Sequence, residues 1–183
     1  MDLYSILKFL HVTSAIIWVG GGFVLVLLGV FAASRNDQAE MVAVVKNVAF
    51  LSTRVFVPTS LATLVFGVLT AFVGGFYGML WIWIGIAGFV ATFLTGLLIL
   101  GPTAEKMVSA DKAGNAADAG TISGGLLKMA KFDYVVLAVV VADMVIKPGF
   151  GDWLLLVIMI SALVAGAYFF LGDLLMKPSP AKA

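Results

Sequence analysis

His11 is the single histidine of the 183-residue chain, and it lies in an apolar segment that reads KFLHVTSAIIWVGGG. A neutral imidazole can ligate a metal ion or a haem iron, and it can also donate a hydrogen bond to a neighbouring helix. An ionisable side chain inside a membrane segment indicates a functional site by default. The residues alone leave both interpretations of His11 open, as a cofactor or metal ligand and as a packing residue.

A seven-residue spacing places several residues on the same face of the first helix as His11. That face carries Tyr4, His11, Trp18 and Leu25, with Ala15, Gly22 and Gly29 close beside them. Small residues in a membrane helix allow a neighbouring backbone to approach closely. We therefore predict that this face points into a helical bundle, and that Trp18 joins His11 as a candidate cofactor-binding residue.

A second set of chemical groups lies near the end of a later helix, in VVVADMVIKPGFGD. Asp143 and Lys147 are four residues apart, so they share a helix face and can pair. If the helices alternate in direction, this pair lies at the same level as Lys8 and His11. Such a polar intramembrane cluster could be a proton path, a metal site or an anion clamp, or a structural ion pair beside an interfacial histidine.

Arg54 and Asp133 form a predicted structural pair at the other side of the membrane. Arg54 lies about one turn inside the second apolar segment, and Asp133 begins the apolar part of the fourth helix at the same level. Charged residues at such depths usually pair with one another. We therefore predict that they lock two helices together.

Other metal and cofactor chemistry is limited by composition. There are no cysteines, so thiolate zinc sites and iron–sulfur clusters are excluded. The Met144 thioether could join His11 around copper or a haem iron. A haem held by two histidines of one chain is excluded, because His11 has no second histidine to join it. No phosphate loop, dinucleotide fingerprint or His-Glu-x-x-His motif occurs.

The overall composition is that of an integral membrane protein. Hydrophobic residues make up 62% of the chain and charged residues 11%, and the mean hydropathy is +1.14. A soluble domain is nearer half apolar and a quarter charged. The formal net charge of +1 gives no indication of nucleic-acid binding. We expect the lipid bilayer as a partner, with other membrane subunits or further copies of the chain, and no nucleic acid.

The apolar segments predict an all-α transmembrane bundle that forms a single domain over residues 1–183. About 20 apolar residues are needed to cross a bilayer. We predict five helices at about 3–33, 48–73, 80–100, 125–147 and 153–175, with a cytoplasmic loop at 101–124. Four spans are the alternative, with the fourth segment re-entrant.

The basic residues predict the orientation of these helices, because cytoplasmic loops are enriched in lysine and arginine. Only Lys8 and Lys147 fall on one side in the five-helix arrangement. The other side carries Arg35, Lys46, Arg54, Lys106, Lys112, Lys128, Lys131, Lys177 and Lys182. We predict a multi-pass protein of the bacterial inner membrane with its N-terminus outside and its C-terminus in the cytoplasm. The first segment is too long and too poor in basic residues for a cleaved signal peptide.

Three segments, LKFLHVTSAIIWVGGGFV, RVFVP…LATLVFGVLT and ADMVIKPG, together resemble a bacterial family of predicted integral membrane proteins with no assigned function. The pattern L-K-x-L-H-x-x-x-A-x-x-W-x-G-G at 7–21 is also similar to the first-helix signatures of HemJ-type protoporphyrinogen oxidases and of the copper-resistance protein D family. The first of these two resemblances implies haem b at His11 together with a lysine on a later helix. The second implies copper uptake.

Three functions follow as hypotheses. The first is an accessory or redox-associated membrane subunit, linked to haem b or a quinone; an enzyme of this kind would be a haem-dependent oxidoreductase. The second is a permeation protein for copper, another metal ion or protons, using His11, Asp143 and Met144. The third is a purely structural subunit of a membrane complex.

Overall fold

The computed structural model of the protein describes residues 2–176, and the predicted all-α fold is confirmed in that range. Lys177 and Lys182, which contributed to the predicted orientation, lie outside the described residues. The chain folds into five long helices in this range: α1 Leu3–Ser34, α2 Gln38–Val73, α3 Leu80–Lys112, α4 Ala116–Ile146 and α5 Trp153–Met176.

Four of these helices are long and apolar enough to cross a membrane, namely α1, α2, α3 and the Trp153–Asp173 part of α5. Helix α4 has sufficient length, at 31 residues, but its apolar part includes Lys131, Asp133 and Asp143. These residues lower its hydropathy below that of its neighbours. The prediction of five spans is therefore not confirmed.

Helix α2 begins ten residues earlier than predicted, at Gln38 instead of residue 48. The Asp37 side chain caps it by accepting a hydrogen bond of 2.9 Å from the Glu40 backbone N–H. A search for apolar length overlooks this first part, because its exposed face is polar. The cap, Asp followed three residues later by Glu, is the local signal that marks the true start.

The predicted cytoplasmic loop at 101–124 is mostly helical. Helix α3 continues to Lys112, and α4 begins at Ala116 instead of residue 125. Asn115 caps α4 by accepting a hydrogen bond of 3.4 Å from the Asp118 N–H. Only a short turn therefore separates the two helices.

Three helices contain a π-helical segment, in which the hydrogen bonds run from residue i to i+5. Two of these segments lie just before prolines, with Ser52–Phe56 preceding Pro58 and Gly96–Leu100 preceding Pro102. A proline lacks the N–H that would bond four residues back and clashes with that carbonyl. The wider π turn accommodates both effects, so α2 and α3 continue through their prolines. The third segment is Ile16–Gly20 in α1.

The helices pack antiparallel, with α4 in contact with α1, α3 and α5. Glycines allow this close approach, as predicted from the first-helix face. The Tyr134 hydroxyl lies directly against Gly22, and a Cβ at Gly29 would be 3.2 Å from Leu127 Cδ1. We name the end of the bundle where α1 begins the amino-terminal end and the other the opposite end.

Helices α1, α2 and α3 reach the opposite end and are longer than a bilayer core is thick. Helices of this length are about 50 Å long, whereas the core is about 30 Å thick. Lys46 and Asp111 join α2 to α3 there, with 3.2 Å between Nζ and Oδ2. A small apolar cluster lies at this end: Ala32, Met41, Val42, Val45, Ala104, Met107 and Leu126.

The contact between α3 and α4 predicts opposite effects for two glycines of α3. A Cβ at Gly88 would collide with Val140 Cγ2, whereas a Cβ at Gly96 meets no atom within 4 Å. We expect Gly88→Ala to lower the free energy of unfolding by about 1–3 kcal/mol through overpacking. Gly96→Ala should leave it unchanged or raise it by up to about 1 kcal/mol. Unfolding followed by circular dichroism in detergent measures both; equal effects would contradict the close contact.

Candidate functional site

His11 lies against α2. Its Nδ1 donates a hydrogen bond to the Thr63 carbonyl oxygen, at 2.7 Å. The ring packs on Gly67, where a Cβ would lie 2.8 Å from both Nδ1 and Cε1. Because a carbonyl can only accept, Nδ1 carries the proton, and the neutral ring keeps its free lone pair on Nε2.

This arrangement is compatible with both interpretations of His11. Metal-ligating histidines usually donate from one ring nitrogen to a carbonyl or carboxylate and bind through the other. A packing histidine makes the same single hydrogen bond. Between residues 2 and 176, no group of three or more His, Cys, Asp or Glu side chains could hold a metal ion. Nε2 of His11 therefore has no preformed set of partner ligands in this range.

The other predicted cofactor residues lie at different helix contacts. Trp18 packs edge to face on Phe89 of α3, with 5.4 Å between the ring centroids. The Met144 methyl group lies directly against Gly85, where α4 meets α3. Contacts of this kind do not bring either residue to the His11 ring, which packs on α2.

Asp143 is the most deeply buried charged residue in the described part of the chain, with no accessible surface. It lies on the side of α4 that faces α3, since a Cβ at Gly85 would be 3.5 Å from Asp143 Oδ2. Neither carboxylate oxygen has a hydrogen-bond partner among the described residues. An ionised carboxylate in such surroundings carries a large desolvation cost.

The predicted pair of Asp143 with Lys147 does not form. Lys147 ends α4 in the left-handed conformation, with φ of 57°, and its backbone N–H bonds to the Asp143 carbonyl at 2.8 Å. Lys147 Nζ instead lies 5.2 Å from the Trp81 ring centroid and 5.8 Å from that of Phe76.

Lys8 belongs to the same aromatic group as Lys147. Its Nζ lies 6.0 Å from the Tyr4 ring centroid, and Tyr4 packs edge to face on Phe76 at 6.3 Å. The structure thus brings the two lysines to one aromatic cluster, Tyr4, Phe76 and Trp81. No hydrogen bond or ion pair joins His11, Asp143 and the lysines within the described range.

Arg54 and Asp133 do not pair either. Arg54 is exposed, and its guanidinium lies over the Phe50 ring, 4.1 Å from the centroid. Its Nη1 donates to the Phe50 carbonyl at 3.4 Å. Asp133 is 9% exposed and lines a partly open cavity. No other described residue forms a hydrogen bond or an ion pair with its carboxylate.

The cavity beside Asp133 has a volume of about 320 Å³ and lies between α1, α2, α3 and α4. All three π segments contribute to its wall, and Trp18 lines it whereas His11 does not. The Tyr134 hydroxyl donates to the Val19 carbonyl of the π segment in α1, at 2.9 Å. Pro58 and Pro102 mark two of these segments in the sequence, but no sequence pattern indicates the cavity itself.

Residues 5–148 match the sequence model of a family described as predicted integral membrane protein (DUF2269). The chain belongs to this family. The match confirms the predicted membrane character, and it ends before α5 begins. It does not show the similarity to HemJ-type or copper-resistance proteins. No curated protein and no solved structure matches the chain.

The burial of Asp143 without a partner predicts that replacing its carboxylate with an apolar side chain stabilises the fold. We expect Asp143→Leu to raise the free energy of unfolding by about 1–3 kcal/mol, because an unpartnered buried polar group is lost. Asp152→Ala should act in the opposite direction by about 1 kcal/mol, since Asp152 accepts a hydrogen bond of 2.8 Å from the Gly149 N–H. Thermal unfolding in detergent compares the stability of the two variants. An Asp143→Leu protein less stable than the wild type would show that Asp143 has a stabilising partner.

Proposed function

We propose that this membrane protein binds and conducts protons, with Asp143 as the group that takes up and releases them. The observation that carries this proposal is the complete burial of Asp143 with both carboxylate oxygens free of partners among the described residues. Ionisable residues inside membrane bundles characteristically mark ion pathways and proton relays. A carboxyl group is favoured there only while it holds a proton or a counter-ion.

A proton suits this site better than a metal ion does. Protonation removes the charge of Asp143 with no additional ligand, whereas a metal ion requires several. Met144 supplies one weak thioether at most, and its methyl group packs on Gly85.

Helix α4 supplies a second carboxylate for the proposed path. Asp133 precedes Asp143 by ten residues, or about 15 Å along the helix axis. That separation is too long for a direct transfer, so conduction requires water molecules or a movement of α4 between the two groups. Asp133 lines the partly open cavity, whose wall extends to Pro102 and Glu105 towards the opposite end.

This proposal requires α4 to cross the membrane as a fifth span. Its contacts with α1 and α3 support such a position, because they shield Asp133, Tyr134 and Asp143 from lipid. The excess of basic residues at the opposite end supports an outside N-terminus and a cytoplasmic C-terminus in a bacterial inner membrane. Asp143 would then take protons from the outer side.

Proton flux into liposomes containing the purified protein tests the proposal. We expect flux driven by a potassium diffusion potential, and at least a tenfold loss in Asp143→Asn, because an amide cannot release a proton. Asp152→Asn is the control at the same end and should retain flux within about twofold, since an amide oxygen still accepts from the Gly149 N–H. A fluorescent pH indicator inside the liposomes reports the rate. Equal flux in wild type, Asp143→Asn and empty liposomes would contradict proton conduction.

A haem-linked redox role is the second candidate, and the hydrogen bond from His11 to Thr63 is compatible with it because it leaves Nε2 without a partner among the described residues. With Nδ1 bonded, His11 would hold an iron through Nε2, and the haem would supply electron transfer. We expect protein from haem-supplied cells to show a Soret absorption band that His11→Ala removes. Ser14→Ala, three residues away, should retain the band, since Ser14 bonds only backbone carbonyls of its own helix. A colourless wild-type protein would contradict haem binding.

A further inference from the structure

We propose that the cavity between α1, α2, α3 and α4 binds a small organic cation, with Asp133 as its counter-charge. This site is separate from Asp143, and the proposal does not depend on proton conduction. It rests on the size of the cavity, the character of its wall and the position of one unpaired carboxylate.

The cavity has the dimensions and wall composition of a small-molecule site. Its volume of about 320 Å³ falls within the usual range for ligand pockets. Such pockets have mainly apolar walls with a few polar groups that fix the ligand's orientation. Aromatic rings contribute to this wall from three helices: Trp18, Phe56 and Phe93.

Asp133 is the buried charge of this wall. Nine-tenths of the residue is buried, and no described side chain pairs with its carboxylate. Arg54, the basic residue expected beside it, lies over Phe50 instead. A bound cation would offset the desolvation cost of this carboxylate, so its charge favours a cation over a neutral or anionic ligand.

Two of the buried hydroxyl groups of the wall are already engaged. The hydroxyl of Ser60 donates to the Val57 carbonyl at 2.9 Å, and that of Thr92 to the Gly88 carbonyl at 3.1 Å. Asp133 is the buried carboxylate of the wall, and one carboxylate supplies too few oxygen ligands for a bare metal ion. An ammonium group with an apolar body fits better, because the aromatic rings attract its charge and the apolar wall covers its body.

Binding of phenethylamine, compared with 2-phenylethanol, tests this proposal. The two molecules share one skeleton and differ in charge, so the alcohol reports partition into lipid and apolar contact alone. We expect the full chain in lipid nanodiscs to bind the amine at least tenfold more tightly than the alcohol by calorimetry. Asp133→Asn should weaken amine binding at least tenfold and leave alcohol binding within twofold.

Two further variants locate the site. Glu105→Gln removes a charge from an exposed part of the same wall and should change amine affinity less than twofold. Gly96→Leu should reduce binding of both molecules to the level of partition into lipid, because a Cβ at Gly96 meets no atom within 4 Å and the residue lines the cavity. Thermal unfolding confirms that each variant is folded.

Three results would overturn the proposal. They are equal affinity of amine and alcohol for the wild type, unchanged amine binding in Asp133→Asn, and unchanged amine binding in folded Gly96→Leu. Equal affinity of the two molecules is the result expected of a cavity that holds a neutral lipid chain. Asp143→Leu should leave amine affinity unchanged, so failure of proton conduction would be distinguishable from failure of cation binding.

Discussion

Carboxylates in so apolar a helical bundle must be kept from lipid, because hydrocarbon offers them no hydrogen bonds. Helix α4 carries two of them, Asp133 and Asp143, and the contacts of α4 with α1 and α3 provide the shielding. Those contacts need glycine, since the Tyr134 hydroxyl fills the space where Gly22 has no side chain and Val140 does the same at Gly88. The close approach of three helices is thus the condition for burying charge in so apolar a chain.

Helical periodicity correctly predicted which face of α1 is buried, because that property depends on one helix alone. It could not predict which neighbour each residue meets: His11 contacts α2, Trp18 contacts α3 and Gly22 contacts α4. The grouping of His11 with Asp143 depended on level in the membrane. Two side chains at the same level can face different neighbouring helices. Here His11 faces α2, whereas Asp143 faces α3.

Helix boundaries were predicted poorly wherever apolar length was the only criterion. The first turns of α2 and α4 have polar exposed faces, and their starts are marked by the side-chain caps of Asp37 and Asn115. Lys147 shows a different kind of failure. The four-residue spacing from Asp143 predicted a pair because it assumed that Lys147 is an ordinary helical residue. Lys147 instead adopts the left-handed conformation, which is uncommon for lysine.

The prolines explain why the two carboxylates have such different surroundings. Pro58 and Pro102 follow π turns in α2 and α3, and these wider turns line a cavity next to Asp133. Near Asp143, the contact at Gly85 closes the space between α3 and α4. A sealed carboxylate can exchange only something as small as a proton, whereas a carboxylate beside a cavity can meet a larger cation. Under the two proposals, one helix therefore carries two sites that differ in the size of the cation they accept.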